Sequence, residues 1–347
     1  MSGTCRGGRA PGPPLLRVRD LVVEYAVAGN TVHAVSGVSF DIERGETLGL
    51  VGESGCGKST LARAVLRLID AQAGTIAFDG TDLRGLSGAR LRAARRHLQI
   101  IFQDPIASLN PRRRIADILA EPLLIVGVRD KAERERRVSE VLSAVGLEPR
   151  LTMPRFPHEF SGGQCQRISI ARALILEPDL IVCDEAVSSL DVSIRAQILN
   201  LLESMKARYG LTLLFIAHDL AVVKAVSDRL AVMYLGKLCE VAPTEPLFAS
   251  PAHPYTALLL DAIPRPDPDA ALRGSVPVGE PPSPIAPPSG CRFRTRCSRA
   301  TARCGEEVPL LRELAPNRWV ACHFPLSTTP QIEGSSVQDA RSSGANS

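Results

Sequence analysis

A glycine-rich segment that ends in a lysine followed by two hydroxyl residues is the part of this chain whose residue types and spacing most clearly indicate chemistry. It fits the spacing G-x-x-x-x-G-K-[ST] at every required position. Its glycines let the backbone curl so that several N–H groups point into one hollow, which suits a polyphosphate. The segment consists of Gly52, Glu53, Ser54, Gly55, Cys56, Gly57, Lys58, Ser59 and Thr60.

The side chains and flanks of this phosphate loop support the same interpretation. Lys58 can reach terminal phosphates as a compact point charge, and the Ser59 hydroxyl is placed to ligate Mg²⁺. Residues 47–51 predict a short buried strand before the loop, and apolar residues at helical spacing predict a helix after it. An incidental glycine-rich turn is the alternative, which both flanks disfavour. The motif alone leaves the class of nucleotidase open.

Two adjacent carboxylates follow a second predicted buried strand. Asp184 and Glu185 come directly after the apolar run 180–183. Ligands of doubly wound sheets bind at the carboxyl ends of the strands, so both side chains can face Mg²⁺ and the terminal phosphate. Asp184 suits the metal shell, and Glu185 suits the polarisation of an attacking water. The alternative is a pair of acidic residues that begins an ordinary loop.

Four cysteines near the C-terminus form a second candidate site. Zinc and an iron–sulfur cluster both accept four thiolates, and four unligated thiols are the third possibility. The first two gaps, of five and six residues, are wider than the C-x₂₋₄-C pair that is typical of zinc modules. The cysteines are Cys291, Cys297, Cys304 and Cys322, and the apolar residues expected around them are Phe293, Trp319, Val320 and Phe324.

Length and composition describe an ordinary globular protein with room for one large domain and a smaller one. The 347 residues are 45% hydrophobic and 22% charged, and a net charge of +4 neither indicates nor excludes nucleic acid. No apolar run approaches the roughly 18 residues of a membrane span, and the N-terminus lacks the apolar core of a signal peptide. We therefore expect a cytoplasmic chain that does not cross a membrane and whose cysteines do not form a disulfide framework.

The pattern of apolar residues predicts the elements that position these candidates. Some segments are continuous or alternating apolar runs, and others repeat at helical spacing. Their alternation predicts the α/β class, with a largely parallel sheet and helices on both faces. The predicted strands are 15–25, 31–42, 74–79, 180–183 and 211–217, and the predicted helical segments are 114–147, a helix beginning near 164, and 194–209.

A Ser-Gly-Gly-Gln segment lies between the helical region and the acidic strand. Taken alone, Ser161, Gly162, Gly163 and Gln164 indicate a loop or a helix cap. In this position, and with Phe160 before it, the segment resembles the signature of the ATP-binding cassette ATPases. In that family the N-terminus of the signature helix grips the γ-phosphate held by the phosphate loop of the partner subunit.

The resemblance extends through the other motifs in the order of the family. Gln103 matches the glutamine that senses the metal and the γ-phosphate, and His218 matches the switch histidine. Asp184 and Glu185 match the Mg²⁺ carboxylate and the catalytic base. The remaining matches are Tyr25, for the adenine-stacking aromatic, and Ser188, Ser189, Leu190 and Asp191, for the loop that crosses the dimer interface.

Longer stretches resemble one branch of the family, the ATPase subunits of oligopeptide and dipeptide importers. This resemblance covers about residues 15 to 325 and is carried by 101–105, 108–111, 157–160 and 253–256. Three positions depart from the branch: Cys165 stands in place of arginine, Ala186 in place of proline and Ser189 in place of alanine. None of these departures removes a group that touches phosphate or metal.

The resemblance implies a P-loop NTPase fold of the α/β class. It combines a parallel-sheet core, an antiparallel β-subdomain, an inserted α-helical subdomain and a small cysteine-bearing C-terminal domain. ATP and Mg²⁺ are the implied ligands, and a [4Fe–4S] cluster is favoured over zinc at the four cysteines. The expected segments are a flexible tail at 1–14, the ATPase domain at 15–262 with the helical subdomain at about 104–168, a proline-rich linker and four-cysteine domain at 263–326, and a disordered tail at 327–347.

The function implied by the resemblance is that of an ATP-hydrolysing importer subunit. Such a subunit couples ATP binding and hydrolysis to uptake of peptides through two transmembrane permease subunits, fed by an extracytoplasmic binding protein. The expected ATPase partner is a paralogue or a second copy, at the cytoplasmic face of a bacterial-type membrane. The cargo stays open among dipeptide, oligopeptide, glutathione and nickel chelate.

Two other functions are compatible with the same core. A cassette ATPase acting on nucleic acid or ribosomes could use the four cysteines as a zinc module. Such proteins usually carry two cassettes or a long coiled coil, and this chain has one cassette and no heptad run. A regulatory ATPase without a transporter is the third function.

Overall fold

Two β-sheets and the helices around them form the framework of the chain. The computed structural model describes residues 12–188, 190–263 and 280–326, and the statements below concern these residues. The strands are β1 (Leu16–Val27), β2 (Asn30–Ile42), β3 (Thr47–Val51), β4 (Ala73–Phe78), β5 (Thr81–Asp82), β6 (Leu98–Ile101), β7 (Leu180–Asp184), β8 (Thr212–Ile216), β9 (Arg229–Tyr234), β10 (Lys237–Pro243), β11 (Arg312–Ala315) and β12 (Arg318–Val320). The helices are α1 (Lys58–Val65), α2 (Gly88–Arg96), α3 (Ile115–Ile125), α4 (Lys131–Ala144), α5 (Pro149–Thr152), α6 (Gly162–Leu174), α7 (Val192–Tyr209), α8 (Leu220–Val226), α9 (Thr244–Ala249), α10 (Pro254–Asp261) and α11 (Ala302–Glu306).

Parallel strands that are buried on both faces make up the centre of the larger sheet. This sheet has the order β11-β12-β10-β9-β3-β8-β7-β6. Within it β3 runs parallel to β8 and β9, and β7 runs parallel to β6 and β8. Every residue of β3, β7 and β8 is buried, as expected for strands with helices on both faces. The α/β class and the parallel sheet predicted from the sequence are confirmed.

The antiparallel sheet, of order β2-β1-β4-β5, is built around the predicted strand pair. β1 and β2 meet at a tight turn in which Ala28 and Gly29 have φ of 48° and 79°. Its buried residues, such as Leu16 and Val18, form one hydrophobic cluster with Leu61 and Val65 of α1. The antiparallel sheet therefore packs directly on the helix that follows the phosphate loop.

Four helices, α3 to α6, lie between β6 and β7 as the predicted helical insertion. Asp130 caps the start of α4, because its carboxylate accepts a hydrogen bond from the Ala132 N–H (3.1 Å). The predicted segment 114–147 is divided where α3 ends, because Gly127 takes a φ of 94° there. α6 begins at 162, two residues before the position predicted from the sequence.

The cysteine-bearing segment adds strands to the larger sheet. β12 pairs antiparallel with β10, with Val320 opposite Glu240, and β11 pairs with β12. Glu240 is fully buried and accepts hydrogen bonds from the N–H groups of Ala252 (2.9 Å) and His253 (2.8 Å), while Arg318 lies 3.4 Å away. Removal of one member of such a buried pair is strongly destabilising. Residues 280–326 are therefore anchored on the main sheet.

Some of the predicted features lie outside the described residues. These are the N-terminal tail except for residues 12–14, residues 264–279 of the proline-rich linker, the C-terminal tail at 327–347, and Ser189. In the part of the chain that is described, no helix is both long enough and apolar enough to span a membrane.

His253 caps α10 from a buried position. Its Nδ1 accepts a hydrogen bond from the Tyr255 N–H (3.0 Å), and the residue is 1% exposed. Burial lowers the pKa of His253 from 6.5 to about 4, and a hydrogen bond with the Ala321 backbone opposes this shift only in part. As the pH falls through this range, the unfolded chain binds a proton at this histidine that the folded chain does not bind.

We expect His253 to lower the free energy of unfolding by roughly 3 kcal/mol in total as the pH falls from about 6.5 to about 4. His253→Asn keeps a side-chain acceptor for the helix N-terminus and removes the titration, so its stability should fall less steeply. Urea unfolding at a series of pH values measures the slopes. His158→Asn, at an exposed position, should keep the parental slope, and equal slopes for all three chains would contradict the assignment.

Candidate active site

The phosphate loop connects β3 to α1 and passes very close to two other strands. Gly52 and Gly57 have φ of 154° and 106°. A Cβ atom added to Gly52 would lie 2.1 Å from the carbonyl oxygen of Met233, and one added to Gly57 would lie 2.1 Å from that of Ala34. Only glycine fits at either position. The loop is therefore held between β9 and β2.

Lys58, the first residue of α1, has its ammonium group inside this loop. The residue is 4% exposed, and its Nζ donates hydrogen bonds to the carbonyl oxygens of Gly52 (2.8 Å) and Glu53 (3.0 Å). The positive end of the α1 dipole adds to the charge of the ammonium group. This arrangement favours an anion such as a polyphosphate, as the sequence predicts.

Ser59 and Asp184 bring two oxygen ligands together from α1 and β7. The Ser59 hydroxyl donates a hydrogen bond to Oδ1 of Asp184 (2.8 Å). Burial raises the pKa of Asp184, although the Ser59 hydrogen bond acts in the opposite direction. A divalent cation would offset this burial cost, and Mg²⁺ usually takes only one or two carboxylates from a protein, with phosphate and water completing its shell. The two side chains fit that role.

The carboxylate of Glu185 is approached by two other residues that the sequence predicts for the site. Gln103 Nε2 donates a hydrogen bond to Glu185 Oε2 (3.1 Å), and His218 Nδ1 lies 3.6 Å from the same oxygen. Glu185 has a φ of 51°, a left-handed conformation that is uncommon for a residue with a side chain. Strain of this kind is typical of functional sites. A cavity of about 430 Å³, lined by Ser59, Gln103 and Asp184, lies beside this group.

Tyr25 lies near the end of β1, opposite Val32 of β2, and is 37% exposed. A partly exposed ring on this sheet is accessible to a planar ligand. Its role in stacking on adenine stays a prediction.

The signature segment forms the exposed N-terminus of α6. The Ser161 hydroxyl accepts a hydrogen bond from the Gln164 N–H (3.3 Å), and Oε1 of Gln164 accepts one from the Ser161 N–H (3.0 Å). This reciprocal pair is a capping box. Gly163 is needed because a Cβ atom there would lie 2.7 Å from Cγ2 of Ile194. Ser161 and Gly162 are exposed, so an anion from outside can approach this helix end.

Two of the departures from the peptide-importer branch are buried apolar positions. Cys165 is fully buried, and its thiol donates to the carbonyl oxygen of Pro157 (3.5 Å). Ala186 is 1% exposed. Both side chains belong to the same hydrophobic cluster. The third departure, Ser189, lies outside the described residues.

The four C-terminal cysteines line one small cavity. Its volume is about 10 Å³, enough for a single water molecule. Phe293 and Phe324 also line the cavity, as expected, but Trp319 and Val320 do not. Trp319 belongs to β12 and stacks on the guanidinium group of Arg229 at 5.7 Å, so its predicted place beside the thiols is wrong.

The chemistry of these thiols depends on their burial. Burial raises the pKa values of Cys291, Cys297 and Cys322, the last to about 11, and the neighbouring thiols add to the shift. Uncharged thiols are poor metal ligands, so binding of a metal would release protons. Within the described residues, no group of three or more His, Cys, Asp or Glu side chains is arranged to hold a single metal ion.

Two contacts to the phosphate loop were not predicted from the sequence. The Tyr255 hydroxyl accepts a hydrogen bond from the Glu53 N–H (3.0 Å), and the Arg296 guanidinium group donates to the Glu53 carboxylate (2.8 Å). The sequence indicates residues 253–256 only as a marker of the peptide-importer branch. No local pattern identifies Arg296, which lies 243 residues from its partner.

Two protein-family models match the chain. The model of the ABC transporter family matches residues 35–188, which include the phosphate loop, the signature and both acidic residues. The model of the oligopeptide/dipeptide transporter C-terminal region matches residues 239–304, which include most of β10, all of α10 and three of the four cysteines.

Curated relatives match nearly the whole chain. A putative peptide import ATP-binding protein of Brucella ovis is 55% identical over 89% of this chain and 97% of its own length. The putative oligopeptide transport ATP-binding protein YkfD of Bacillus subtilis is 52% identical, over 90% and 95%. The oligopeptide transport ATP-binding protein OppF of Escherichia coli is 51% identical, over 86% and 92%.

Solved structures share the fold of the main domain. The protein cbiO1 from Clostridium perfringens, described as part of the ABC transporter complex cbiONQ, has a TM-score of 0.60 and 28% identity over 68% of this chain and 91% of its own. The ATP-binding cassette MJ0796, solved as a dimer in a post-hydrolysis state with ADP and phosphate, has a TM-score of 0.60 and 27% identity over 66% and 98%. Together with the geometry of the phosphate loop and Glu185, these matches show that the chain belongs to the ABC transporter ATPases and carries the C-terminal region of the oligopeptide/dipeptide transporters.

Proposed function

We propose that this chain is the ATP-hydrolysing subunit of a peptide importer and acts from the cytoplasmic face of the membrane. The observation that carries the proposal is the approach of Gln103 and His218 to Glu185, beside the pair formed by Ser59 and Asp184. The names of the relatives support peptides as the class of cargo. None of those relatives is named for nucleic acid, so the nucleic-acid or ribosomal alternative has no support.

The roles of the side chains follow from their chemistry. Lys58 binds the terminal phosphates of ATP, and Ser59 and Asp184 hold Mg²⁺, which neutralises charge on the phosphates. Glu185 accepts the proton of the attacking water as general base. Gln103 and His218 both approach Oε2 of Glu185. They orient this carboxylate relative to the attacking water and the γ-phosphate.

Replacing Glu185 separates nucleotide binding from hydrolysis. Glu185→Gln should keep ATP binding and slow turnover on the order of 100-fold or more, because the amide cannot accept the proton. Lys58→Ala should instead weaken ATP binding, since the loop loses its buried cation. Nucleotide affinity and phosphate release in the assembled transporter measure the two effects. If Glu185→Gln hydrolysed ATP at the parental rate, the assignment of Glu185 as the general base would be wrong.

The exposed signature supports the proposal that the complete ATP site forms between two subunits. Ser161 and Gly162 at the start of α6 are exposed and offer their helix end to an anion outside the chain. MJ0796, a solved relative in fold, is a dimer with ADP and phosphate. We therefore assign the second half of each site to a partner ATPase, either a paralogue or a second copy of this chain.

A groove of about 470 Å³ beside the active site suits a membrane subunit. It is lined by the basic residues Arg92 and Arg96 of α2 and by Ile125 of α3, which is 69% exposed. Phe102 lines both this groove and the cavity that contains Gln103. We assign the groove to a cytoplasmic helix of the permease that carries acidic and apolar side chains. Binding of the permease helix in the groove would act on Gln103 through the adjacent residue Phe102.

The activity of the chain should depend on assembly. Alone and at high dilution it should hydrolyse ATP weakly, because the proposed site needs the signature of a partner subunit. Addition of the partner ATPase and the permease subunits should raise turnover, as measured by phosphate release in reconstituted vesicles. A fully active monomer would contradict the composite site.

Three variants divide this prediction into parts. Ser161→Arg should impair the site whose phosphate loop belongs to the partner, because a bulky side chain blocks the helix end. Ile125→Asp should prevent stimulation by the permease and leave ATP binding intact, since it places a charge in the apolar part of the groove. Leu151→Asp is the matched control, because Leu151 is 68% exposed in the same helical region and does not line the groove.

We also propose a metal centre at the four cysteines, with a [4Fe–4S] cluster preferred to zinc. Four thiols around one cavity form a donor set that both centres accept. A zinc ion needs all four sulfurs about 2.3 Å from one point, whereas a cluster binds each cysteine at a different iron. The 10 Å³ cavity requires the side chains to move apart when a centre binds. The thiolates would hold the metal, and the centre would cross-link the four cysteines and so stabilise residues 291–322.

Metal analysis after anaerobic purification tests this proposal. Iron and acid-labile sulfide in stoichiometric amounts are expected for the parental chain, and Cys297→Ser should lose them and unfold at a lower temperature. Cys165→Ser, a buried cysteine outside the cavity, should keep the metal. Stoichiometric zinc without iron would contradict the cluster and identify the centre as zinc. The absence of both metals would contradict any metal centre and leave four free thiols.

A further inference from the structure

Glu53, the second residue of the phosphate loop, is held by side chains from the C-terminal third of the chain. The Arg296 guanidinium group donates to both carboxylate oxygens of Glu53, at 2.8 and 3.0 Å. Its side chain is only 5% exposed, and that of Glu53 is 24% exposed. This is a largely desolvated, charge-assisted contact, which is stronger than an exposed ion pair.

The backbone of Glu53 is held as well as its side chain. Its N–H donates to the Tyr255 hydroxyl (3.0 Å), and its carbonyl oxygen accepts a hydrogen bond from Lys58 Nζ (3.0 Å). Tyr255 is fully buried. Glu53 is thus fixed at three points, one of which is the ammonium group that faces the phosphates. Any shift of Glu53 changes the place of that carbonyl and so the place of Lys58.

An aromatic cluster fixes the positions of Tyr255 and Arg296 relative to each other. The ring centroid of Tyr255 lies 4.6 Å from that of Tyr234 and 5.3 Å from that of Phe293. Phe293 directly precedes the short 3₁₀ turn Arg294–Arg296. The Arg296 guanidinium group lies 5.8 Å from the centroid of Tyr234, whose hydroxyl it approaches to 3.4 Å. These packed rings hold both groups that grip Glu53.

The charge on Arg296 is maintained in this buried position. Burial opposes the charge, but the hydrogen bonds to Glu53 and Tyr234 keep the pKa of Arg296 above its ordinary value. If Glu53 moved away, the guanidinium group would stay buried without its partner. That cost favours the loop conformation in which Glu53 contacts Arg296.

We propose that Arg296 and Tyr255 are positioning residues of the ATP site, which hold Glu53 and through it set the place of Lys58. The C-terminal segment is then part of the nucleotide-binding apparatus and not only a separately folded appendage. The inference rests on the proposed function, because it takes ATP as the ligand of the phosphate loop. It assigns no contact between Arg296 and ATP.

The test compares arginine variants of one turn by direct binding of a fluorescent ATP analogue. Arg296→Gln should raise the Kd for the analogue about 10-fold, because it breaks a buried pair next to the loop. Arg296→Lys keeps the charge and should restore part of the affinity. Arg294→Gln is the matched control, since Arg294 lies in the same turn and its guanidinium group donates to Ser289 and to no other residue that the structure describes. It should keep the parental Kd.

A double variant shows whether the effect passes through Glu53. Glu53→Gln combined with Arg296→Gln should bind no more weakly than Arg296→Gln alone, because both act on one interaction. Independent, multiplied effects of the two changes would overturn the proposal. In the assembled transporter, Arg296→Gln should raise KM for ATP much more than it lowers kcat, as expected for a residue that does not touch the reacting atoms.

Tyr255→Phe keeps the test decisive if Arg296→Gln folds poorly. It removes one hydroxyl from the aromatic cluster and should raise the Kd a few-fold through loss of the bond to the Glu53 N–H. Thermal unfolding checks that each variant is folded. Parental affinity in folded Arg296→Gln and Tyr255→Phe would overturn the inference, as would an equal loss in Arg294→Gln. If Lys58→Ala also binds the analogue normally, the proposed function fails instead.

Discussion

The architecture depends on how closely the backbone of the phosphate loop approaches its neighbours. No Cβ atom fits at Gly52 or Gly57, so the loop lies in one position between Met233 of β9 and Ala34 of β2. That position determines where α1 begins and therefore where the ammonium group of Lys58 lies. Because β2 belongs to the antiparallel sheet and β9 to the larger one, the same contact also joins the two sheets. The loop that binds phosphate is thus also a contact that holds the two sheets together.

The central part of the fold could be predicted from the sequence because its patterns are local. β3, β7 and β8 are buried throughout, so each appears in the sequence as an uninterrupted apolar run. The side chains that follow such strands must lie at one edge of the sheet, which is why Asp184 and Glu185 could be assigned to a common site. The capping box at Ser161 is likewise a short-range signal. The convergence of Gln103 and His218 on Glu185 could be expected only from the resemblance to a family, since their separation along the chain exceeds any local pattern.

The parts that sequence analysis missed depend on pairing between distant segments. β11 is exposed throughout and β12 has only three residues, and nothing in their residues indicates that β12 adds to the sheet beside β10. For the same reason Trp319 was assigned to the thiols, whereas the register of β12 directs it towards Arg229. The contact between Arg296 and Glu53 is of this kind too, because any of many arginines could have paired with that carboxylate. Proximity of the C-terminal segment to the phosphate loop is a property of the folded chain and not of any stretch within it.

The contacts of Tyr255 and Arg296 with Glu53 also determine when the phosphate loop can be completed during synthesis of the chain. These residues follow Glu53 by 202 and 243 positions along the chain. A ribosome that adds roughly 5–20 residues per second needs about 10 to 50 s to reach Arg296 after it has made the glycine loop. Until translation reaches them, the nascent chain has the sequence of a phosphate-binding loop but lacks these two anchors of Glu53. With the positioning role proposed above, the loop gains its last anchor only after translation has passed residue 296, so full affinity for ATP is tied to synthesis of the segment around that residue.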